Sequence, residues 1–261
     1  MTGKVAFVTG ASRVTGKAIA LELARAGYDV GITYMGYKEG ADDAVRQMEE
    51  MGRKGKAYYA DTGDVAATQA MLEGFFEDFG HIDVMVCNTG ITKYVDFLSA
   101  SQEVYDYIFN TNIRGSYFCG QSAARNMVKN GVKGVIVNIS SIHAKSLWPG
   151  DTLYATTKAA LCRLTEAQAL ELAPHGIRAV GVAPGCVYMG GYDDTQARKA
   201  RYDWVNSKIP MKRHVSAEEI GQAVVYLASE KASYITGQTL FIEGGLMLPV
   251  LVNEQYNSYN A

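Results

Sequence analysis

The chain has 261 residues with 27 acidic and 25 basic side chains, a formal net charge of −2; that length suits one large domain or two small ones, and the balance lacks the positive excess that a phosphate backbone demands, which excludes nucleic acid as an expected partner. With 48% apolar and 20% charged residues it can bury a full core and is not a disordered chain. No apolar run approaches the roughly 18 residues of a membrane span, and nothing ahead of the first strand-like segment has a signal-peptide pattern, so the expectation is a cytoplasmic protein with no membrane contact.

Short β-branched runs alternate with longer helical patterns almost from end to end, the mark of repeated βαβ units. Residues 4–8 read as a strand, followed by a helical pattern over 16–26 in which Ile19, Ala20, Leu23 and Ala24 recur at helical spacing and Gly27 supplies the stop. The alternation returns with a strand at 30–34 and a helix at 41–51, a strand at 57–60 and a helix at 65–79, and a strand at 84–87. A long helix is predicted over 102–128, then the most apolar strand, 134–139, a helix over 153–173 and a strand over 177–182. Ser216 and Glu219 have the spacing of a capping box opening a helix to residue 228, and 239–242 completes the sheet.

This amounts to about seven strands and six helices with no linker between separate cores: an α/β, single-domain doubly wound parallel sheet of Rossmann type over residues 1–261. Residues 188–208 interrupt the alternation with Gly190-Gly191, charges and aromatics, and are read as a lid; residues 249–261 form a polar C-terminal tail. Cys87, Cys119, Cys162 and Cys186 are widely spaced, with neither a Cys-x-x-Cys pair nor a histidine at ligand spacing. They read as reduced thiols, and no metal site is expected.

Directly after the first strand comes Thr9-Gly10-Ala11-Ser12-Arg13-Val14-Thr15-Gly16, leading into a helix. Glycines in such a turn let the backbone approach a pyrophosphate, which then rests on unpaired amides at the helix N-terminus. The second strand ends Ile32-Thr33-Tyr34-Met35-Gly36, without the acid that would accept a ribose 2′-hydroxyl. Arg13 is placed to meet an additional phosphate instead. NADP(H) is therefore the favoured cofactor, with NAD(H) the alternative.

Tyr154 and Lys158 lie four residues apart, on one face of a helix. A phenol titrates near 10, and a cation one turn away favours its anion and suits it to proton transfer. With 17 tyrosines such a pair arises by chance, and Tyr34 with Lys38 is a second one. Tyr154 is distinguished by Ser141, at the end of the most apolar strand, whose hydroxyl can hold a carbonyl oxygen. No Gly-x-Ser-x-Gly elbow surrounds Ser141, which argues against nucleophilic serine chemistry.

In order along the chain stand Thr9-Gly10…Gly16, Asp61, Cys87-Asn88-Thr89-Gly90, Asn112, Ser141, Tyr154 with Lys158, and Pro184-Gly185. With these seven features in register the sequence resembles the short-chain dehydrogenase/reductase family over essentially its whole length. The resemblance implies Tyr154 as general acid/base, Lys158 lowering its pKa and holding the nicotinamide ribose, Ser141 on the reacting oxygen, and Asn112 kinking its helix and holding a water that relays protons to Lys158. It further implies a cofactor site including Gly10, Ser12, Arg13, Gly16, Tyr34, Asp61 at the adenine, Asn88, Gly90, Pro184, Gly185, Val187 and position 189, and assembly as a homotetramer or homodimer. Two positions depart from the family pattern. Val14 replaces the middle glycine of the turn, where a β-branched residue resists positive φ and adds bulk beside the pyrophosphate. Met189 replaces a threonine that would bond the nicotinamide carboxamide.

Asn130-Gly131-Val132-Lys133-Gly134 through Ile142-His143, with Trp148-Pro149 and the Glu243-Gly244-Gly245 ending, is similar to the glucose-dehydrogenase branch. That resemblance implies a sugar or polyol substrate, although Thr92 stands where that branch carries an acid. His143, Lys145, Asp151, Thr92 and Lys93 are candidate hydroxyl-binding residues, and Tyr94, Trp148, Tyr188, Tyr192 and Trp204 are candidate apolar walls. Of these, His143, Trp148 and Tyr188 are the expected substrate contacts. A 3-oxoacyl thioester or steroid-type carbonyl reductase is the alternative within the class, and a non-catalytic dinucleotide-binding sensor is the alternative outside it.

Overall fold

The computed structural model describes residues 3–188 and 196–248. Seven strands form one parallel sheet: β1 (Val5–Val8), β2 (Asp29–Tyr34), β3 (Gly55–Tyr59), β4 (Val84–Cys87), β5 (Val135–Ile139), β6 (Arg178–Pro184) and β7 (Thr239–Ile242), in the spatial order β3-β2-β1-β4-β5-β6-β7. The order reverses between β1 and β4. Loops leave the carboxyl ends of those two strands in opposite directions, and the crevice between them is where such sheets bind ligands.

The alternation of side chains along a strand splits the core into two layers. Ala6, Val8, Val30, Ile32, Val84, Val86, Val135, Val137, Val180 and Val182 pack on one face beneath α1 (Val14–Arg25), α2 (Lys38–Glu50) and α8 (Ala217–Ala228). Val5, Phe7, Met85, Cys87, Ile136 and Ala179 pack on the other beneath α3 (Val65–Phe79), α5 (Gly115–Asn130) and α6 (Thr152–Leu172). Phe7 and Phe75 meet edge to face there, with ring centroids 4.7 Å apart.

All seven strands are where expected to within two residues at either end, and β4 and β7 are as expected at both. The capping box is formed: Ser216 Oγ accepts from Glu219 N at 3.2 Å, and Glu219 Oε2 accepts from Ser216 N at 2.9 Å. The helix expected over 102–128 is not continuous. It is α4 (Gln102–Phe109), a π turn (Asn110–Arg114) and α5, and within the π turn the Asn112 side chain bonds the loop after β4. That break and α7 (Gln196–Lys208), a helix inside the expected lid, bring the described α-helices to eight rather than six. The remaining lid positions 189–195 and the tail 249–261 lie outside the described residues.

Cys87 and Cys119 are buried and Cys162 and Cys186 are partly buried, all as free thiols. Among the described residues no helix is long and apolar enough to cross a membrane, and no cluster of His, Cys, Asp or Glu is arranged to hold a metal ion.

Candidate active site

A groove of about 590 Å³ runs along the carboxyl ends of β1, β2, β4, β5 and β6. Its lining includes Gly10, Ser12, Arg13, Gly16, Tyr34, Asp61, Asn88, Gly90, Ser141, Tyr154, Lys158, Pro184, Gly185 and Val187. Residues picked out from seven separate stretches of sequence are thus brought to one surface. Tyr34 leads there from β2, but its partner in the second Tyr-x-x-x-Lys pair does not: Lys38 is exposed and bonded to Asp42.

The glycine turn is held from both sides. Thr9 Oγ1 accepts from the amides of Asn88 and Thr89, each at 2.9 Å, and Asn88 Nδ2 donates to the carbonyls of Thr9 at 2.8 Å and Gly10 at 3.1 Å. Thr33 Oγ1 accepts from Gly10 N at 2.9 Å. Asn88 therefore acts on the turn that would cradle a pyrophosphate. A Cβ at Gly16 would stand 2.3 Å from Gly10 O and 2.6 Å from Asn88 Nδ2, so only glycine fits. Arg13 precedes α1 without capping it by its side chain, which leaves the amides of the first turn open to an anion.

Val14 adopts φ +40°. The backbone here keeps the left-handed bend that suits glycine, and a β-branched residue is forced into it.

At the end of β5, Ser140 Oγ donates to Lys158 O at 2.7 Å and Lys158 Nζ donates to Ile139 O at 2.9 Å, fixing α6 against the strand. Asn138 Nδ2 adds bonds to Thr165 Oγ1 at 2.9 Å and Gln168 Oε1 at 2.8 Å. Lys158 is 3% exposed, and burial lowers its pKa to about 8. The Lys158 ammonium lies 5.4 Å from the Tyr154 ring centroid.

Burial pushes the Tyr154 phenol up to about 12, while neighbouring Ser141 pulls it the other way. Loss of hydration is the largest influence on this phenol, and Ser141 is the group that favours its anion.

Asn112 is fully buried. Its Oδ1 accepts from Ile91 N at 2.8 Å, and its Nδ2 donates to Ile91 O and to Thr157 Oγ1, each at 3.0 Å. It ties the loop after β4 to the helix that carries Tyr154 and Lys158 rather than lining the groove itself. Asp61 lines the groove and accepts from Gly63 N at 2.8 Å.

His143, Trp148 and Tyr188 do not line the groove. His143 stands beside Tyr154 at the groove's edge, its ring edge to face with Tyr154 at 5.5 Å and stacked on Trp148 at 6.4 Å. Tyr188 is exposed and packs on Tyr202 of α7 at 5.6 Å. Met189 lies outside the described residues. Sequence reasoning named His143 and Asp151 separately and missed that His143 Nδ1 bonds Asp151 Oδ2. It also missed Thr9 and Thr33 as braces of the turn, and Tyr107 and Thr111 as groove walls; none carries a local motif.

Comparison with known proteins defines the class to which this fold and site belong. The family model described as enoyl-(acyl carrier protein) reductase matches residues 10–247. The chain belongs to the short-chain dehydrogenase/reductase family and is an NAD(P)-dependent oxidoreductase. It is 38% identical to an uncharacterized oxidoreductase, YohF, of Escherichia coli strain K12, over 97% of this chain and 98% of the relative. It is 36% identical to glucose 1-dehydrogenase 2 of Bacillus subtilis strain 168, over 95% of this chain and 96% of that one. Among solved structures it is similar to acetoin dehydrogenase from Enterobacter cloacae, with TM-score 0.87 and 36% identity over 97% of this chain and 98% of the other.

Proposed function

We propose that the protein transfers hydride between NADP(H) and a secondary alcohol or its carbonyl in a small polyol or sugar-like substrate, with Tyr154 as the acid/base. The observation that carries this reading is the convergence of Ser141, Tyr154 and the buried ammonium of Lys158 on the wall of one groove, with the ammonium 5.4 Å from the phenol ring. The groove's glycine turn fits a dinucleotide: Gly10 and Gly16 leave no room for side chains, and its volume is in the range of small-molecule sites. Gly10, Ser12, Gly16 and the first turn of α1 would hold the pyrophosphate, Asp61 the adenine, and Gly90, Lys158, Pro184, Gly185 and Val187 the nicotinamide end.

Arg13 on the groove wall, with Tyr34-Met35-Gly36 in place of an acid, supports NADP(H) over NAD(H). When bound, the nicotinamide supplies the hydride donor or acceptor. Ser141 holds the reacting oxygen, Tyr154 gives or takes its proton, and Lys158 holds the ribose hydroxyls and keeps positive charge near the phenol. Asn112 fixes the helix bearing both and stands where a proton-relaying water would be held. Assembly into a homo-oligomer belongs to the same reading, supported by exposed Tyr117 and Val128 on α5 and Leu170 on α6.

A 3-oxoacyl thioester or steroid-type ketone is the second reading, favoured by Phe97, Leu98 and Leu147 standing 76%, 96% and 77% exposed on the loops after β4 and β5. The test is a fluorescence titration with NADPH and NADH side by side on the wild-type and Tyr154→Phe proteins, followed by a panel of polyols, ketones and acyl thioesters. Tighter NADPH binding by both proteins, with turnover of polyols by the wild type alone, is the expected result. Turnover by the Phe variant removes Tyr154 from its role, and dinucleotide binding without any turnover leaves a sensor.

A further inference from the structure

Beside Tyr154 the chain holds a polar pair that the hydride-transfer reading does not use. His143 follows β5 by four residues, and Asp151 immediately precedes α6. The Asp151 side chain is fully buried, its Oδ2 bonds His143 Nδ1, and its Oδ1 has no partner among the described residues. Burying a carboxylate in this way is costly unless a function or a partner compensates for it.

The consequence of the pair is chemical. A carboxylate only accepts, so in the neutral imidazole it holds the proton on Nδ1 and leaves the lone pair on Nε2. Trp148 and Tyr154 flank the ring, which holds its orientation. The His143 side chain keeps 15% of its surface exposed, and Nε2 has no partner among the described residues. The result is an oriented hydrogen-bond acceptor one ring away from the phenol assigned to the reacting oxygen.

We infer that His143 Nε2, oriented by Asp151, accepts a hydrogen bond from a second hydroxyl group on the carbon next to the reacting one, so that the site selects vicinal diols and α-hydroxy carbonyls over simple secondary alcohols. The inference rests on the assignment of Tyr154 to the reacting oxygen. A hydroxyl donor satisfies Nε2, whereas an acyl thioester or a hydrocarbon skeleton leaves it unpaired, and a site built to bond a hydroxyl discriminates strongly against substrates that lack one. Asp151 is in this account a positioning residue, and His143 the contact.

The test compares kcat/KM for propane-1,2-diol and propan-2-ol with NADP+. The wild type should favour the diol by about tenfold or more. His143→Phe should lower the diol value about tenfold more than the propan-2-ol value, and His143→Gln, whose amide oxygen still accepts, should restore part of the ratio. Asp151→Asn should lower the same ratio and change the tautomer signature of His143 in nitrogen NMR, which a residue that merely packs would not do. Should variants fail to fold, the Tyr154→Phe protein labelled at histidine nitrogen and loaded with NADP+ serves: the His143 Nε2 resonance should move with propane-1,2-diol and not with propan-2-ol.

Equal loss of both substrates in His143→Phe, or an unmoved resonance, overturns the subsite. Equal use of the two alcohols by the wild type overturns it too while leaving the role of Tyr154 intact. A wild type that oxidises neither overturns the functional reading, and the subsite with it.

Discussion

Replacing Val14 by glycine tests whether the left-handed turn at the start of α1 is strained. Val14 holds φ +40°, a conformation costing a β-branched residue about 1–3 kcal/mol. Glycine removes that strain but adds about 0.5–1 kcal/mol of backbone entropy to the unfolded chain and gives up about 1 kcal/mol of burial for a partly exposed isopropyl group. Val65 is the internal control. It is also the first residue of its helix, α3, is also partly exposed, and has no positive φ. Val65→Gly should therefore cost about 1.5–2 kcal/mol, and Val14→Gly about 1–3 kcal/mol less than that. Urea unfolding of the two variants beside the wild type measures the difference. Equal losses would refute the claim that the turn is strained. Because Val14 also lines the groove, the glycine variant should bind NADPH about tenfold more tightly if one further amide reaches the pyrophosphate, an effect of about 1.4 kcal/mol.

Gly16→Ala should cost about 1–3 kcal/mol by overpacking and weaken NADPH binding, since its Cβ would meet the backbone of Gly10 and Ala11; Gly36→Ala, with nothing within 4 Å and no positive φ, should raise stability by about 0.4–1 kcal/mol. Ser216→Ala should lose about 1 kcal/mol of stability through the capping box, read by the same unfolding curves. The lowered pKa of Lys158 makes a signed prediction. Between about 8 and the ordinary 10.5 the unfolded chain binds the proton more strongly than the folded one, so stability should rise with pH across that window. Tyr154, raised from 10.0 to about 12, opposes this between those values, where the unfolded chain ionises first. The stability of wild type relative to Lys158→Met isolates the lysine, and a relative stability that is flat or falling from pH 8 to 10.5 would contradict its burial as an ammonium.

The parts of this molecule legible in the sequence are those fixed by short-range pattern. The run Val135-Ile136-Val137 has no periodicity because both faces of β5 are covered, and that alone marked the centre of the sheet. Turn, helix and strand-end residues lie where the βαβ alternation brings them, so the groove wall could be read almost residue by residue. The π turn at Asn110–Arg114 could not, because the partner of its Asn112 is Ile91, 21 residues away, and the apolar pattern on either side still reads as helix. α7 has no apolar stripe to announce it. The pairing of His143 with Asp151 and the upward shift of Tyr154 arise from burial, which a linear sequence does not display.

The π turn also bears on how this helix tolerates a change of length. Residues 110–114 take one more residue into a single wide turn than an α-helical turn would hold, so the helix beyond keeps the phase it would have without that residue. Cys119, Ala123 and Met127 therefore pack against the sheet while Tyr117 and Val128 stay exposed. Deleting one residue of the turn would let α4 run straight into α5 with its apolar face still on the core, and the loss would fall instead on the bulge from which Asn112 reaches Ile91 and Thr157. The extra residue thus serves the tie between the loop after β4 and the helix bearing Tyr154 and Lys158, and the packing of α5 is indifferent to it.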